Sequence, residues 1–163
     1  MRSLHRIFVR HRGVEPSARL PIKLIKHCIR AALRAEGLSV PCEVSVLITN
    51  DKGIRRLNCK FRGIDKPTDV LSFPMQARKP GEYMKAPFEV CPETGLAMLG
   101  DIVMSAERVN SQAQAYGLLP EHEAAYLTVH SVLHLLGYDH IDSAEMKRIM
   151  RRREKEIMRE LGT

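Results

Sequence analysis

The stretch PEHEAAYLTVHSVLHLLGYDH, residues 120–140, constrains this chain more than any other. Pro120 suits a first helical position and the residues after it are strongly apolar, so a helix is predicted over 120–136. His130 and His134 are four apart, which on a helix stacks them on one face about 6 Å apart, close enough to share an ion. An uninterrupted helix would carry His140 roughly 15 Å along the axis from His130, out of reach of a common metal. The helix must therefore end before it. Gly137 can take the left-handed backbone that terminates a helix and turns the chain back, so that His140 approaches from the open side.

A histidine pair at this spacing is also a common core feature, satisfied by backbone carbonyls. The third histidine and the glycine tip the reading toward a metal. Three neutral imidazoles at about 2.1 Å leave a tetrahedral zinc with one open position for water, as in catalytic sites, and such water ionises near pH 7. Nickel, copper or iron could take the same nitrogens. The spacing matches the metzincin protease pattern HExxHxxGxxH, but Ser131 stands where the general-base glutamate would be, which makes a peptidase a minor alternative.

Around this segment, LHRIFVR (4–10) reads as a strand and PIKLIKHCIRAALRAEG as an amphipathic helix striped by Ile22, Ile25, Ile29 and Leu33 and stopped at Gly37. CEVSVLITN alternates Val44, Val46 and Ile48 with polar residues, and Asn50 and Asp51 can cap a short helix through Asn58. TDVLSFPM (68–75) and LGDIVMS (99–105) follow as strands, then a helix over 106–116, the apolar helix, and a last helix to Leu161 begun by a capping box at Asp142 and Glu145. Residues 76–98 hold Pro80, Gly81, Pro87, Pro92 and Gly95 without a period and read as a long surface connection. The expected fold is a single α+β domain spanning 1–163, with a mixed sheet of about four strands, about five helices, and the metal site at the end of the apolar helix.

At 163 residues the chain can complete a core without a partner, and its oligomeric state is left open. Cys28, Cys42, Cys59 and Cys91 form no CxxC pair, which argues against a zinc knuckle or redox motif and for reduced, buried thiols. No signal-type core or spanning segment is present, so a cytoplasmic protein without membrane contact is expected. Residues 1–34 carry nine Lys or Arg against Glu15 alone, a net of +8, leaving seventeen bases against eighteen acids elsewhere. Such a basic amino-terminal segment attracts phosphate backbones, although a solubilising face explains it equally well. With four tyrosines, four phenylalanines and no tryptophan, an aromatic platform for bases is poorly provided for.

Arg62 and Lys66 stand before the third strand around a turn of Gly63, Asp65 and Pro67, where a fixed guanidinium could hold a phosphate and stabilise developing charge. An arginine paired with Asp65 or Asp69 is the alternative. Asp139 could orient an imidazole or equally be an exposed turn aspartate, and Asp101 could orient one or only end a strand. His5, His11, His27 and His122 lack any partner spacing and are expected at the surface, and the run KRIMRRREKEIMRE reads as a solvated helix with a face of Ile149, Ile157 and Leu161.

Together HSVLHLLGYDH, FRGIDKPTDVLSFP and LGDIVMS resemble the YbeY endoribonuclease family over about residues 40–160, with Ser131 where glycine is usual. The resemblance implies an α+β fold with a metal in a cleft, zinc on His130, His134 and His140, one ion per chain, and an important arginine at Arg62. It further implies single-strand-specific cleavage of ribosomal RNA, in 16S 3′-end maturation and ribosome quality control, with the small ribosomal subunit as partner. An RNA-binding assembly factor with a structural metal is the alternative.

Overall fold

The computed structural model describes residues 4–82, 87–139 and 143–162. Alternation of apolar and polar side chains builds a sheet of β1 (Arg6–His11), β2 (Cys42–Thr49), β3 (Val70–Pro74) and β4 (Ala97–Ser105) in the order β1-β2-β4-β3. β1, β2 and β4 are parallel and β3 is antiparallel to β4, so β3 is a free edge. Among the described residues the helices are α1 (Ile22–Ala35), α2 (Asp51–Arg62), α3 (Ala106–Tyr116), α4 (Pro120–Leu135) and α5 (Ala144–Leu161), with a 3-10 turn at Pro16–Ala18. This is the α+β arrangement with a four-stranded mixed sheet and five helices that the sequence pattern predicts.

Val44, Val46 and Ile48 of β2 and Ile102 and Met104 of β4 enter one core with Ile25, Ile29 and Leu33 of α1 and Val129, Val132 and Leu133 of α4. Each such side chain contributes about 2 kcal/mol on leaving water. The opposite face is covered only in part, where Ile54 of α2 packs on Leu71 and Val103. The apolar helix is therefore buried behind the sheet, with its C-terminal turn emerging beside β3.

Besides shifts of one or two residues at strand ends, two helix boundaries differ from expectation. α2 runs past Asn58 to Arg62, because Gly63 adopts φ 69° and returns its N–H to Cys59 at 3.0 Å. Arg62 is thus a helical residue rather than a turn residue. α5 is capped by Ser143, whose hydroxyl accepts from the Met146 N–H at 3.0 Å, and the capping box at Asp142 falls outside the described residues.

Where it is described, the connection after β3 runs over the surface as expected, is anchored there, and ends where β4 begins at Ala97. The Gln76 amide donates to the Glu89 carbonyl at 2.9 Å and accepts from the Glu89 N–H at 2.7 Å, Phe88 is buried, and Val90 bridges to Ala97. The thiols divide: Cys28 and Cys42 are buried, Cys91 is half-buried and Cys59 is exposed, and none of the four is in a disulfide. Of the four histidines expected at the surface only His27 is exposed. His5 accepts from the Cys42 N–H at 3.1 Å and His11 from the Leu20 N–H at 3.0 Å, and His122 is half-buried. No helix among the described residues is long and apolar enough to cross a membrane.

Candidate active site

His130 and His134 leave α4 on the face that looks toward β3. Their Nε2 atoms stand 3.1 Å apart, with the rings nearly perpendicular at 83°. Two nitrogens each about 2.1 Å from a tetrahedral zinc would be roughly 3.4 Å apart, so the pair fits two ligand positions of one ion. His130 Nδ1 lies 2.7 Å from Glu154 Oε1, and Glu154 Oε2 accepts from the Tyr126 hydroxyl at 2.8 Å. With its Nδ1–H donated to a carboxylate, His130 turns the Nε2 lone pair to the cleft. Burial pushes the Glu154 carboxyl up, but the bonds from His130 and Tyr126 outweigh it and hold the group below the usual carboxylate value. His140 lies outside the described residues, and among those residues no group of three metal-ligating side chains occurs.

The helix ends as its glycine dictates. Gly137 takes φ 102°, its N–H bonds to His134 and the Tyr138 N–H to Leu133, each at 3.0 Å. A Cβ on Gly137 would come 1.8 Å from the Arg78 carbonyl oxygen, so the loop after β3 lies directly against this turn. Tyr138 donates to Glu36 at 2.6 Å, and Arg153 donates to the same carboxylate at 2.7 Å and to the Ala35 carbonyl at 3.1 Å. Arg153 is thereby committed, leaving Arg151 and Arg152 exposed. One carboxylate at the end of α1 thus fixes both the turn beyond the histidines and the helix that carries Glu154.

A cleft of about 900 Å3 runs between α4 and β3, lined by His130, His134 and Tyr126 on one wall and by Val70, Ser72 and Arg62 on the other. Asp65 is not the partner of Arg62, since Arg55 holds it through two bonds of 2.9 and 3.1 Å. Asp69 is spent on the Val70 N–H at 2.7 Å and the Gln112 amide at 3.4 Å. The Arg62 guanidinium contacts Asn58 Oδ1 at 3.4 Å, while Asn58 donates to the Lys66 carbonyl at 2.8 Å. Among the described residues Arg62 makes no ion pair, so its charge is available to an anion. Backbone bonds at Asp69 with Ser105 and at Met75 with Leu99 set the β3 alternation, which turns the N–H and C=O of Ser72 to the open edge.

Asp139 lines the cleft. Asp101 does not; it is exposed on the other face of the sheet and orients neither helical histidine. Ser131 is fully buried with its hydroxyl unpaired, away from any role as base or nucleophile. Sequence reasoning missed Glu154, Tyr126 and Asn58. The signals were present: Tyr126 is four residues before His130, and Glu154 occupies a buried stripe of α5 with Met150, Ile157 and Met158, where a carboxylate needs a partner.

Fold and cleft together define a single-domain α+β protein with a paired-histidine site at the free edge of its sheet. A family model described as Endoribonuclease YbeY matches residues 12–162, and the chain belongs to that family. Proteins named Endoribonuclease YbeY from Chloroflexus aurantiacus and Roseiflexus sp. are 46% and 45% identical to it, covering 86% and 85% of this chain and 86% and 82% of theirs. The solution structure of TM1509 from Thermotoga maritima is 26% identical with a TM-score of 0.55, covering 96% of this chain and 91% of that one.

Proposed function

We propose that the chain is a zinc-dependent, single-strand-specific endoribonuclease of cytoplasmic ribosomal RNA processing, acting in 16S 3′-end maturation and ribosome quality control on the small subunit. Family membership supports the coarser statement, an endoribonuclease that hydrolyses phosphodiester bonds. The observation that supports metal-dependent cleavage is the convergence of two imidazole nitrogens, one beside Glu154, in a cleft shared with Arg62, while the ribosomal substrate and its 16S 3′ end rest on the resemblance of the motifs. His130 and His134 would hold the ion, with His140 as the third ligand. A zinc ion there supplies Lewis acidity, polarising the phosphate and bringing the ionisation of water to about pH 7.

The chain's own residues supply the rest. Arg62, steadied by Asn58, grips the scissile phosphate and offsets the charge that builds on its equatorial oxygens. The outward N–H of Ser72 adds a hydrogen bond along the edge of the cleft. Glu154 keeps His130 in one tautomer and, with both oxygens engaged, is a positioning residue rather than a proton carrier.

Cleavage of a structured ribosomal RNA fragment by native protein, chelated protein, His134→Ala and Arg62→Glu tests this, with folding checked by circular dichroism. Loss of metal or of either side chain is expected to slow cleavage at least 100-fold. Metal-free protein that cuts as fast as metal-loaded protein would overturn the reading. End groups report the nucleophile: a 2′,3′-cyclic phosphate identifies the RNA 2′-hydroxyl, and a 5′-phosphate with a free 3′-hydroxyl identifies water.

A further inference from the structure

The face of the sheet away from α4 is open beyond the reach of α2, and strand register sets one row of side chains across it. Phe8 of β1 is opposite Ser45 of β2, Ser45 opposite Asp101 of β4, and Asp101 opposite Phe73 of β3. Partners in register project from the same face, and three strand spacings put the two rings about 14 Å apart. Phe61 of α2 overhangs the Phe73 end, with ring centroids 5.2 Å apart and edge to face. Phe8 is 52% exposed and Phe61 58%, an unusual cost for two aromatic rings on one small domain. The row forms the floor of a groove of about 800 Å3 with Arg10 and Lys26 on its rim, and Lys60 Nζ lies 5.2 Å from the Phe61 ring.

The groove is continuous with the histidine cleft, since Phe61 and Phe73 line both. Exposed ring faces, cationic rims and a single exposed carboxylate suit a single strand of nucleotides. Rings stack bases, lysine and arginine meet phosphates, and an aspartate accepts from the amino group of cytosine or adenine, which uracil lacks. Among the described residues Asp101 has no hydrogen bond or ion pair to compete for it. A purely apolar partner segment would have to bury that carboxylate unpaired.

We propose that this open face is a second RNA-binding surface, on which bases flanking the scissile bond stack on Phe8 and Phe61, the latter braced by Phe73, while Asp101 accepts a hydrogen bond from a base amino group. The inference rests on the endoribonuclease reading of the neighbouring cleft and extends it to substrate choice.

Metal-free full-length protein titrated with short fluorescent oligocytidylate and oligouridylate measures binding without cleavage. Phe8→Leu keeps the apolar contact and removes the π face, so it should weaken oligocytidylate binding on the order of 5- to 100-fold, and Phe8→Tyr should restore it. Phe61→Ala should weaken it similarly. Cytidylate should bind on the order of tenfold tighter than uridylate, and Asp101→Asn should erase that preference. Equal affinity of Phe8→Leu and native protein, or equal binding of the two homopolymers with no effect of Asp101→Asn, overturns the proposal. If native protein binds RNA with this pattern but never cleaves it, the cleft reading fails and the groove stands. If it cleaves but Phe8→Leu binds normally, the reverse holds.

Discussion

Glu154 is the residue on which the histidine pair depends without its being a ligand. One oxygen orients His130 and the other is closed by Tyr126, so Glu154→Gln keeps the shape but sets an amide donor against one of two donors. Zinc affinity, read by competition with a chromogenic chelator, is expected to fall 10- to 100-fold, and excess zinc should recover much of the RNA cleavage. Unchanged affinity would remove Glu154 from the site. His130, His134 and Gly137 were legible in sequence because helix spacing and helix termination are local properties. Glu154 was not, because its partner is 24 positions away and only the packing of α5 on α4 joins them. Its place among Met150, Ile157 and Met158 was the visible trace. Arg62 was legible as a cation near the third strand, but its freedom from Asp65 depended on Arg55, one of several equivalent bases nearby.

At the scale of elements, the turn after α4 is held from two sides, by its own helix-ending bonds and by the Arg78 carbonyl packed against Gly137. Gly137→Ala would combine a strained positive φ with a clash against backbone that has no rotamer to yield. A loss of about 3 kcal/mol or more in denaturant unfolding is expected, together with weakened metal binding. A loss under about 1 kcal/mol would show that the 76–79 segment moves aside easily. The strands and helices themselves were readable from period and capping, with errors where a cap was misplaced: Gly63 rather than Asn58 ends α2, and Ser143 rather than Asp142 begins α5. The 76–98 loop was unreadable as structure because Gln76, Glu89 and Phe88 are fixed by contacts outside any local pattern. The base-binding row was equally hidden, since Phe8, Ser45, Asp101 and Phe73 become neighbours only through the register of four strands.

Across the whole molecule, stability should depend on pH through two histidines far from the cleft. Burial, then the nearby Arg30, lowers the His5 pKa from 6.5, and burial, then Arg19, lowers that of His11. Each ring accepts a backbone N–H, a bond that a proton on the same nitrogen would abolish. Below about pH 6.5 the unfolded chain binds protons that the folded one resists, so stability falls as pH falls through that value and is retained above it. The thermal midpoint should drop between about pH 7.5 and about pH 5.5, and His5→Asn with His11→Asn should flatten the slope. An equally steep slope in that variant would assign the acid sensitivity elsewhere. The net charge of +7, concentrated in the first 34 residues, was plain from composition, whereas the division of labour between two faces of one sheet required the fold.

The dependence of His130 on α5 has a consequence in time. A chain leaves the ribosome from its amino end, so α4 and its two histidines are made before the carboxylate that orients them, and before Arg153, which ties α5 to Glu36. Until the last helix docks, His130 lacks the carboxylate beside its Nδ1 and the turn beyond Gly137 lacks half of its anchor. A nascent polypeptide therefore carries both imidazoles before the carboxylate that aligns one of them. The carboxylate that aligns His130 and the arginine that ties down its helix are in this way the last parts of the cleft to be made.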